Sequence, residues 1–320
     1  MNTHNLSFDQ PDTGRKFRDR LTTADGQDRA HVSLIAAKTL WFNTGTLCNI
    51  ECARCYIKSS PTNDRLVYLN TGDVASYLDQ IVERRWPVTE IGFTGGEPFM
   101  NPDMVPMTRL ALARGFAVLI LTNAMRPMMR ASVRQGLEAL ERDFPGKMTL
   151  RVSLDHYSAT ENDGLRGAGS YDIALTGMRW LRDSGITMAI AGRTIWGETE
   201  RASRDGFRAL INRLGLEIDS ENPAQLVLFP EMDETADVPE ITTVCWSLLN
   251  KSPGDVMCSS ARMVVKRKGA EHPVVLACTL VPYTPEFELG RTLKEAEGKV
   301  YLNHPHCARF CVLGGASCSG

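Results

Sequence analysis

Six strand-sized apolar runs separated by helix-length amphipathic stretches constrain this chain more than any other feature. The runs fall at 39–44 (TLWFNT), 89–94 (TEIGFT), 116–122 (FAVLILT), 148–154 (MTLRVSL), 186–193 (ITMAIAGR) and 225–229 (QLVLF). Helical periodicity fills the gaps near 71–85, 102–114, 128–142, 170–184 and 199–213. Thr71 and Ser170 read as helix caps, Gly115 and Gly185 as helix stops. Strands alternating with helices bury both faces of a parallel sheet, so an α/β fold is expected, its sheet either open or curled into a partial barrel.

From about residue 231 the rhythm breaks. EMDETADVPE (231–240) is acidic and proline-bearing, and RMVVKRKGAEHPVVLAC (262–278) reads as a hairpin turning at Lys268-Gly269. HPHCARFCVLGGASCSG (304–320) is too rich in Gly and Cys to promise regular structure. The pattern predicts a polar leader at 1–35, a core domain at 36–230 and a small cysteine-rich domain at 231–320. A unit that small builds little core, so a bound metal centre is an expected staple.

With 320 residues, 43% of them hydrophobic, the chain can bury a sizeable core. Its 36 basic and 38 acidic residues leave a formal charge of -2, which argues against nucleic acid or an anionic membrane as partner. The first twenty residues hold no signal-like apolar stretch, and runs such as FAVLIL (116–121) are too short to span a bilayer, so a cytoplasmic protein is expected. Thiols stay reduced in that compartment. Nine cysteines, three at 48–55 and six at 245–318, therefore point to metal binding or catalysis rather than to disulfides.

The first group lies in WFNTGTLCNIECARCYIKSS (41–60), just after the first strand. Cys48, Cys52 and Cys55 in one short loop suit an iron–sulfur cubane, in which three thiolates hold three irons and leave the fourth open to another ligand. Structural zinc wants four ligands at close spacing, and no Cys or His follows locally to complete that set.

Cys48-x3-Cys52-x2-Cys55 followed by the aromatic Tyr56 resembles the signature of the radical S-adenosylmethionine (SAM) superfamily. The resemblance implies a partial (β/α)6 barrel of the TIM type, a [4Fe–4S] cluster on the three cysteines, and SAM chelated at the open iron. It also implies reductive cleavage of SAM to a 5′-deoxyadenosyl radical that abstracts hydrogen from a substrate.

Further motifs extend the likeness. The second strand ends in GFTGGEPFM (92–100), similar to the family's GGEP motif, which gives Gly95, Gly96 and Glu97 a place beside the SAM amino group. LILTNAM (119–125) resembles the family's Thr-Asn-Gly strand end, with Ala124 where glycine is common, and makes Asn123 a SAM-site residue. In VSLDHYSATENDGLRGAGSY (152–171), Ser153 and Asp155 would lie by the ribose and Arg166 near the SAM carboxylate, which a planar guanidinium suits. His156 reads as an ordinary loop residue. Arg193, Trp196 and Glu231 follow strand ends and are candidates for the substrate pocket.

The late cysteines, Cys258-x19-Cys278 and Cys307-x3-Cys311-x6-Cys318, resemble the SPASM and twitch extensions of radical SAM enzymes, which hold auxiliary [4Fe–4S] clusters. Five candidates compete for four ligand positions of one cluster, and Cys245 reads as a packed core cysteine. Zinc with His304 and His306 is the alternative here.

The resulting expectation is an oxidoreductase. An auxiliary cluster would relay an electron from a substrate radical, giving net oxidation of a small molecule or peptide, or else would ligate the substrate. A one-electron donor such as flavodoxin or ferredoxin would be its partner. A non-enzymatic iron–sulfur or zinc-stabilised protein, or a SAM-dependent radical group transferase, are the competing readings. The short leader favours a small-molecule substrate.

Overall fold

A computed structural model describes residues 16–315, so Cys318 lies outside the described residues. In chain order the elements are β1 (His31–Val32), β2 (Thr39–Asn43), α1 (Thr71–Arg84), β3 (Glu90–Thr94), α2 (Met104–Ala113), β4 (Ala117–Thr122), α3 (Ala131–Asp143), β5 (Met148–Ser153), α4 (Ala159–Arg166), α5 (Ser170–Asp183), β6 (Thr187–Arg193), α6 (Glu200–Leu214), β7 (Leu226–Phe229), α7 (Cys245–Leu248), β8 (Ala261–Val265), β9 (Val274–Leu276), β10 (Glu288–Gly290) and β11 (Val300–Tyr301). All six expected strands and all five expected helices are present.

One nine-stranded sheet, in the order β10-β9-β8-β2-β3-β4-β5-β6-β7, organises the molecule. From β8 to β7 every pairing is parallel. The seventh parallel strand was not expected: β8 opens the predicted hairpin, yet its other edge pairs with β2, Thr39 opposite Ala261. The hairpin itself forms as expected, β8 antiparallel to β9, with Gly269 in the left-handed region at φ 79°.

Helices cover one face. On α1, Val74, Tyr77, Leu78 and Ile81 repeat at helical spacing and are all buried. Each such side chain contributes about 1.5–3 kcal/mol on leaving water. The opposite face packs Trp41, Leu119, Met263 and Phe310 together, so C-terminal residues seal the sheet's inner side. Gly92 makes that packing possible, since a Cβ there would stand 2.4 Å from the Trp41 ring.

The helix starts differ from expectation. Asn70 caps α1 and forms a reciprocal box with Asp73, so Thr71 is the first helical residue. At α5 the cap residue is Gly169, and Asp163 takes the donors, accepting from Gly169 N at 2.7 Å, Ser170 Oγ at 2.9 Å and Tyr171 N at 2.8 Å. Other elements were unforeseen too: β1 inside the expected leader, the short β10 and β11, and two helices. The stretch read as a loop after β5 contains α4, and Cys307–Leu313 forms a wide π-type helix because Ala308, Phe310 and Val312 give that glycine-flanked segment a buried face.

The N-terminal segment is tied to the C-terminal region. β1 pairs with β11, and the buried Arg29 meets Glu240 at 2.6 Å.

Candidate active site

Parallel in-register strands bring Asn43, Thr94, Thr122, Ser153, Arg193 and Phe229 to one edge of the sheet. The cysteine loop leaves β2 at that edge and is held on two sides. On one, Gly96 N donates to Gly45 O at 2.8 Å and Glu97 N to Leu47 O at 3.1 Å. These contacts explain the glycine pair: Gly95 has φ 142°, and a Cβ on Gly96 would stand 2.2 Å from Leu47 O. On the other side, Ala53 N donates to Leu165 O at 2.9 Å, and Arg193 Nη2 to Arg54 O at 3.1 Å.

A cavity opens between these supports. Cys48, Cys52, Cys55 and Tyr56 line it from the loop, and Gly95, Gly96, Asn123, Ser153, Asp155 and Arg166 from the strand ends and α4. Sequence reasoning placed all ten at the site, and the fold collects them around one space. Glu97 is the exception. Its buried carboxylate accepts from Thr122 Oγ1 and Asn123 N, each at 2.8 Å, and from Phe99 N at 3.2 Å, so it shapes the wall from behind. Burial pushes its pKa up to about 7, against these hydrogen bonds. Asn123 in turn donates to Asn49 Oδ1 at 2.9 Å, tying the third strand end to the loop.

At the cavity's polar end Asp155 lies between two guanidiniums. Arg166 Nε stands 2.8 Å from Asp155 Oδ2 and Arg193 Nε 3.1 Å from Oδ1. Burial alone would raise the Asp155 pKa, but the two arginines hold it below the usual carboxylate range. Two cations and one anion leave net positive charge, a match for a ligand carboxylate. Of the pocket candidates, Arg193 does line this cavity. Trp196 instead packs edge-on against His156, 4.5 Å between rings, and Glu231 pairs with Arg54 and Arg309. His156 is buried between Tyr157 and Trp196, a packed residue rather than an open loop one.

Among the described residues no three His, Cys, Asp or Glu side chains converge tightly enough to hold one metal ion. Zinc would draw its thiolates to within about 2.3 Å of a point. Cys48, Cys52 and Cys55 line one cavity, and three thiols with no fourth protein ligand among the described residues fit a multi-iron cluster with one open iron. Burial pushes the Cys48 thiol up to about 12 and raises Cys52, whose shift Arg166 opposes. These thiols are neutral until a metal displaces their protons, so loading the site would release protons.

A second cavity is lined by Cys258, Cys278, Cys307 and Cys311, with aliphatic neighbours, Phe287 and His306. His304 contacts the His306 ring at 4.7 Å and is not on the wall. Cys245 is also off it, half-buried against the C-terminal core as expected.

The family model of the radical SAM superfamily matches residues 42–201. The chain belongs to the radical SAM superfamily. The mycofactocin maturase MftC of Mycobacterium tuberculosis (strain CDC 1551 / Oshkosh) is 28% identical over 173 residues, covering 52% of this chain and 40% of the maturase. The chain thus spans well under half the length of that relative. In fold it is similar to Streptococcus suis SuiB bound to S-adenosylmethionine, with a TM-score of 0.58 and 13% identity over 80% of this chain and 63% of the other. It is likewise similar to anSMEcpe with bound AdoMet, with a TM-score of 0.56 and 13% identity over 81% and 77% of the two chains. These likenesses identify the curled α/β sheet as the partial barrel of radical SAM proteins.

Proposed function

We propose that this chain cleaves SAM reductively and oxidises a peptide by two electrons, using one cluster in each cysteine-lined cavity. The observation that supports the reading is the pair of cavities, one with three thiols beside the GGEP glycines, Asn123, Ser153 and Arg166, and one with four thiols among apolar residues. When bound, the first [4Fe–4S] cluster supplies an electron to SAM, yielding the 5′-deoxyadenosyl radical that takes hydrogen from the substrate.

The chain's own residues hold and shield. Cys48, Cys52 and Cys55 ligate the first cluster; the Gly95-Gly96 backbone, Asn123 and Ser153 border SAM; Tyr56 sits beside the cluster; and Arg166, steadied by Asp155, takes the SAM carboxylate. Phe229, Leu280 and Phe310 close the cavity's apolar side and keep water from the radical. Cys258, Cys278, Cys307 and Cys311 supply four ligands to an auxiliary [4Fe–4S] cluster, and full ligation by the protein favours an electron relay over substrate ligation.

A peptide is preferred as substrate because relatives and neighbours include a mycofactocin maturase, the subtilosin biosynthesis protein AlbA of Bacillus subtilis, and SuiB bound to the precursor peptide SuiA. A flavodoxin or ferredoxin is the proposed electron donor. Among the described residues no helix is long and apolar enough to cross a membrane.

The test is an anaerobic assay of the reconstituted chain with SAM and dithionite, following 5′-deoxyadenosine in wild type and Cys52→Ala. Cysteine-dependent 5′-deoxyadenosine supports the proposal. A wild-type chain that neither holds iron nor binds SAM overturns it.

A further inference from the structure

Arg262, on β8, is wholly buried. Its guanidinium donates only to backbone carbonyls: Ala296 O at 2.8 Å, Cys258 O at 2.6 Å, Ala261 O at 2.8 Å and Gly298 O at 3.4 Å. Among the described residues no carboxylate pairs with it. A buried cation without a counter-ion is strongly disfavoured, and carbonyl dipoles offset only part of that cost.

The second cavity adjoins Arg262 through Cys258, which lines its wall. Arg262 grips the carbonyl of Cys258 itself, and the Cys258 and Cys278 sulfurs are the groups whose charge favours its cationic form. The cavity wall supplies no Lys or Arg of its own. Four cysteines that ligate iron become four thiolates, the charge that Arg262 lacks.

We infer that Arg262 is the built-in counter-charge of the auxiliary cluster, stabilising its thiolates and raising its reduction potential. The inference rests on the proposed auxiliary cluster. A fixed positive charge favours the more negative, reduced state, and net charge is one of the levers that set such potentials.

The test uses the full chain with Cys48, Cys52 and Cys55 all changed to Ala, which leaves the auxiliary cluster as the one redox centre. If this background binds no iron or sulfide, the auxiliary-cluster reading fails and takes the inference with it. Given a loaded background, Arg262→Gln and Arg262→Lys are compared by redox titration followed by EPR, and by melting with and without iron. Arg262→Gln should lower the midpoint potential and narrow the gap in melting temperature between loaded and metal-free chains, with Arg262→Lys closer to the parent in both. A Gln variant that folds but cannot retain iron is the extreme of the same result. An unmoved potential, equal shifts in the Gln and Lys variants, or a Gln variant unfolded with and without iron would each overturn the inference, because the side chain would then act as a scaffold rather than as a charge.

Discussion

Glu231 and Arg309 form a 3.1 Å ion pair that ties the segment after β7 to the helix carrying Cys307 and Cys311. The same carboxylate also pairs with Arg54, which lies between Cys52 and Cys55. One side chain thus links both cysteine segments. All three side chains are between 29% and 48% exposed, so the link is screened by solvent. Glu231→Gln should cost less than about 1 kcal/mol in urea unfolding, and the cost should shrink at high salt. A loss of several kcal/mol, or one indifferent to salt, would contradict this.

Gly96 is a stronger determinant. Its missing side chain lets Leu47 O approach, and the collision from a Cβ would be with backbone, which cannot rotate aside. Gly96→Ala should therefore destabilise by about 2 kcal/mol or more and lower the iron retained by the first cysteine loop. Gly146→Ala is the control: it meets no atom within 4 Å, though its φ of 68° still imposes roughly 1–2 kcal/mol of backbone strain. Iron content should separate the two variants, and equal iron loss in both would count against the packing argument.

Glu97 gives a pH signature with a definite sign. Its folded pKa, raised from 4.5 to about 7, means the folded chain holds the proton more tightly than the unfolded one. Stability from this group is therefore fully present below about pH 4.5 and is lost as pH rises towards 7, a change of order 3 kcal/mol. Unfolding of the metal-free chain across that window should show a decline in wild type that is absent in Glu97→Gln. Parallel curves would show that Glu97 ionises normally.

The parallel strands were legible because strands buried on both faces read as continuous apolar runs, as AVLILT does, while MTLRVS shows by its alternation the period of a strand. β8 was legible as half a hairpin, but its partner β2 lies some two hundred residues upstream, and no local pattern records such a pairing. Helix α4 was hidden for another reason: ATENDGLR is polar, contains glycine and buries only Asn162, so neither propensity nor periodicity marks it. That helix nonetheless delivers Arg166. Glu97 was placed at the site by its motif, yet its bonds to Thr122 and Asn123 depend on the neighbouring strand, which the motif does not contain.

Ala124 shows the limit of reading a departure from a pattern. It stands where glycine is common and still adopts glycine's conformation, with φ 55°. Ala124→Gly would relieve roughly 1–2 kcal/mol of left-handed strain while losing a buried methyl and adding chain entropy, two opposing terms of about 0.5–1 kcal/mol each. Stability should change by no more than about 1 kcal/mol, with SAM affinity unaltered. Calorimetry with SAM checks both halves, and weakened binding would mean that the methyl itself shapes the site.

Arg166 offers the most direct test of SAM recognition. Arg166 donates from Nη2 to Asp155 Oδ1 at 3.1 Å, and its Nε lies 2.8 Å from Oδ2, so the carboxylate anchors the guanidinium at the cavity wall. A lysine keeps the charge but lacks the fork, so it cannot satisfy Asp155 and a ligand carboxylate in the same geometry. A charge-assisted hydrogen bond is worth about 1.5–3 kcal/mol, so Arg166→Lys should weaken SAM at least about tenfold. Arg193 remains to neutralise Asp155, and the fold should survive. Equilibrium binding of SAM to the iron-loaded variant measures the effect. An unchanged affinity with an intact cluster would leave Arg193 as the carboxylate's partner and reassign Arg166 to supporting the loop through Leu165.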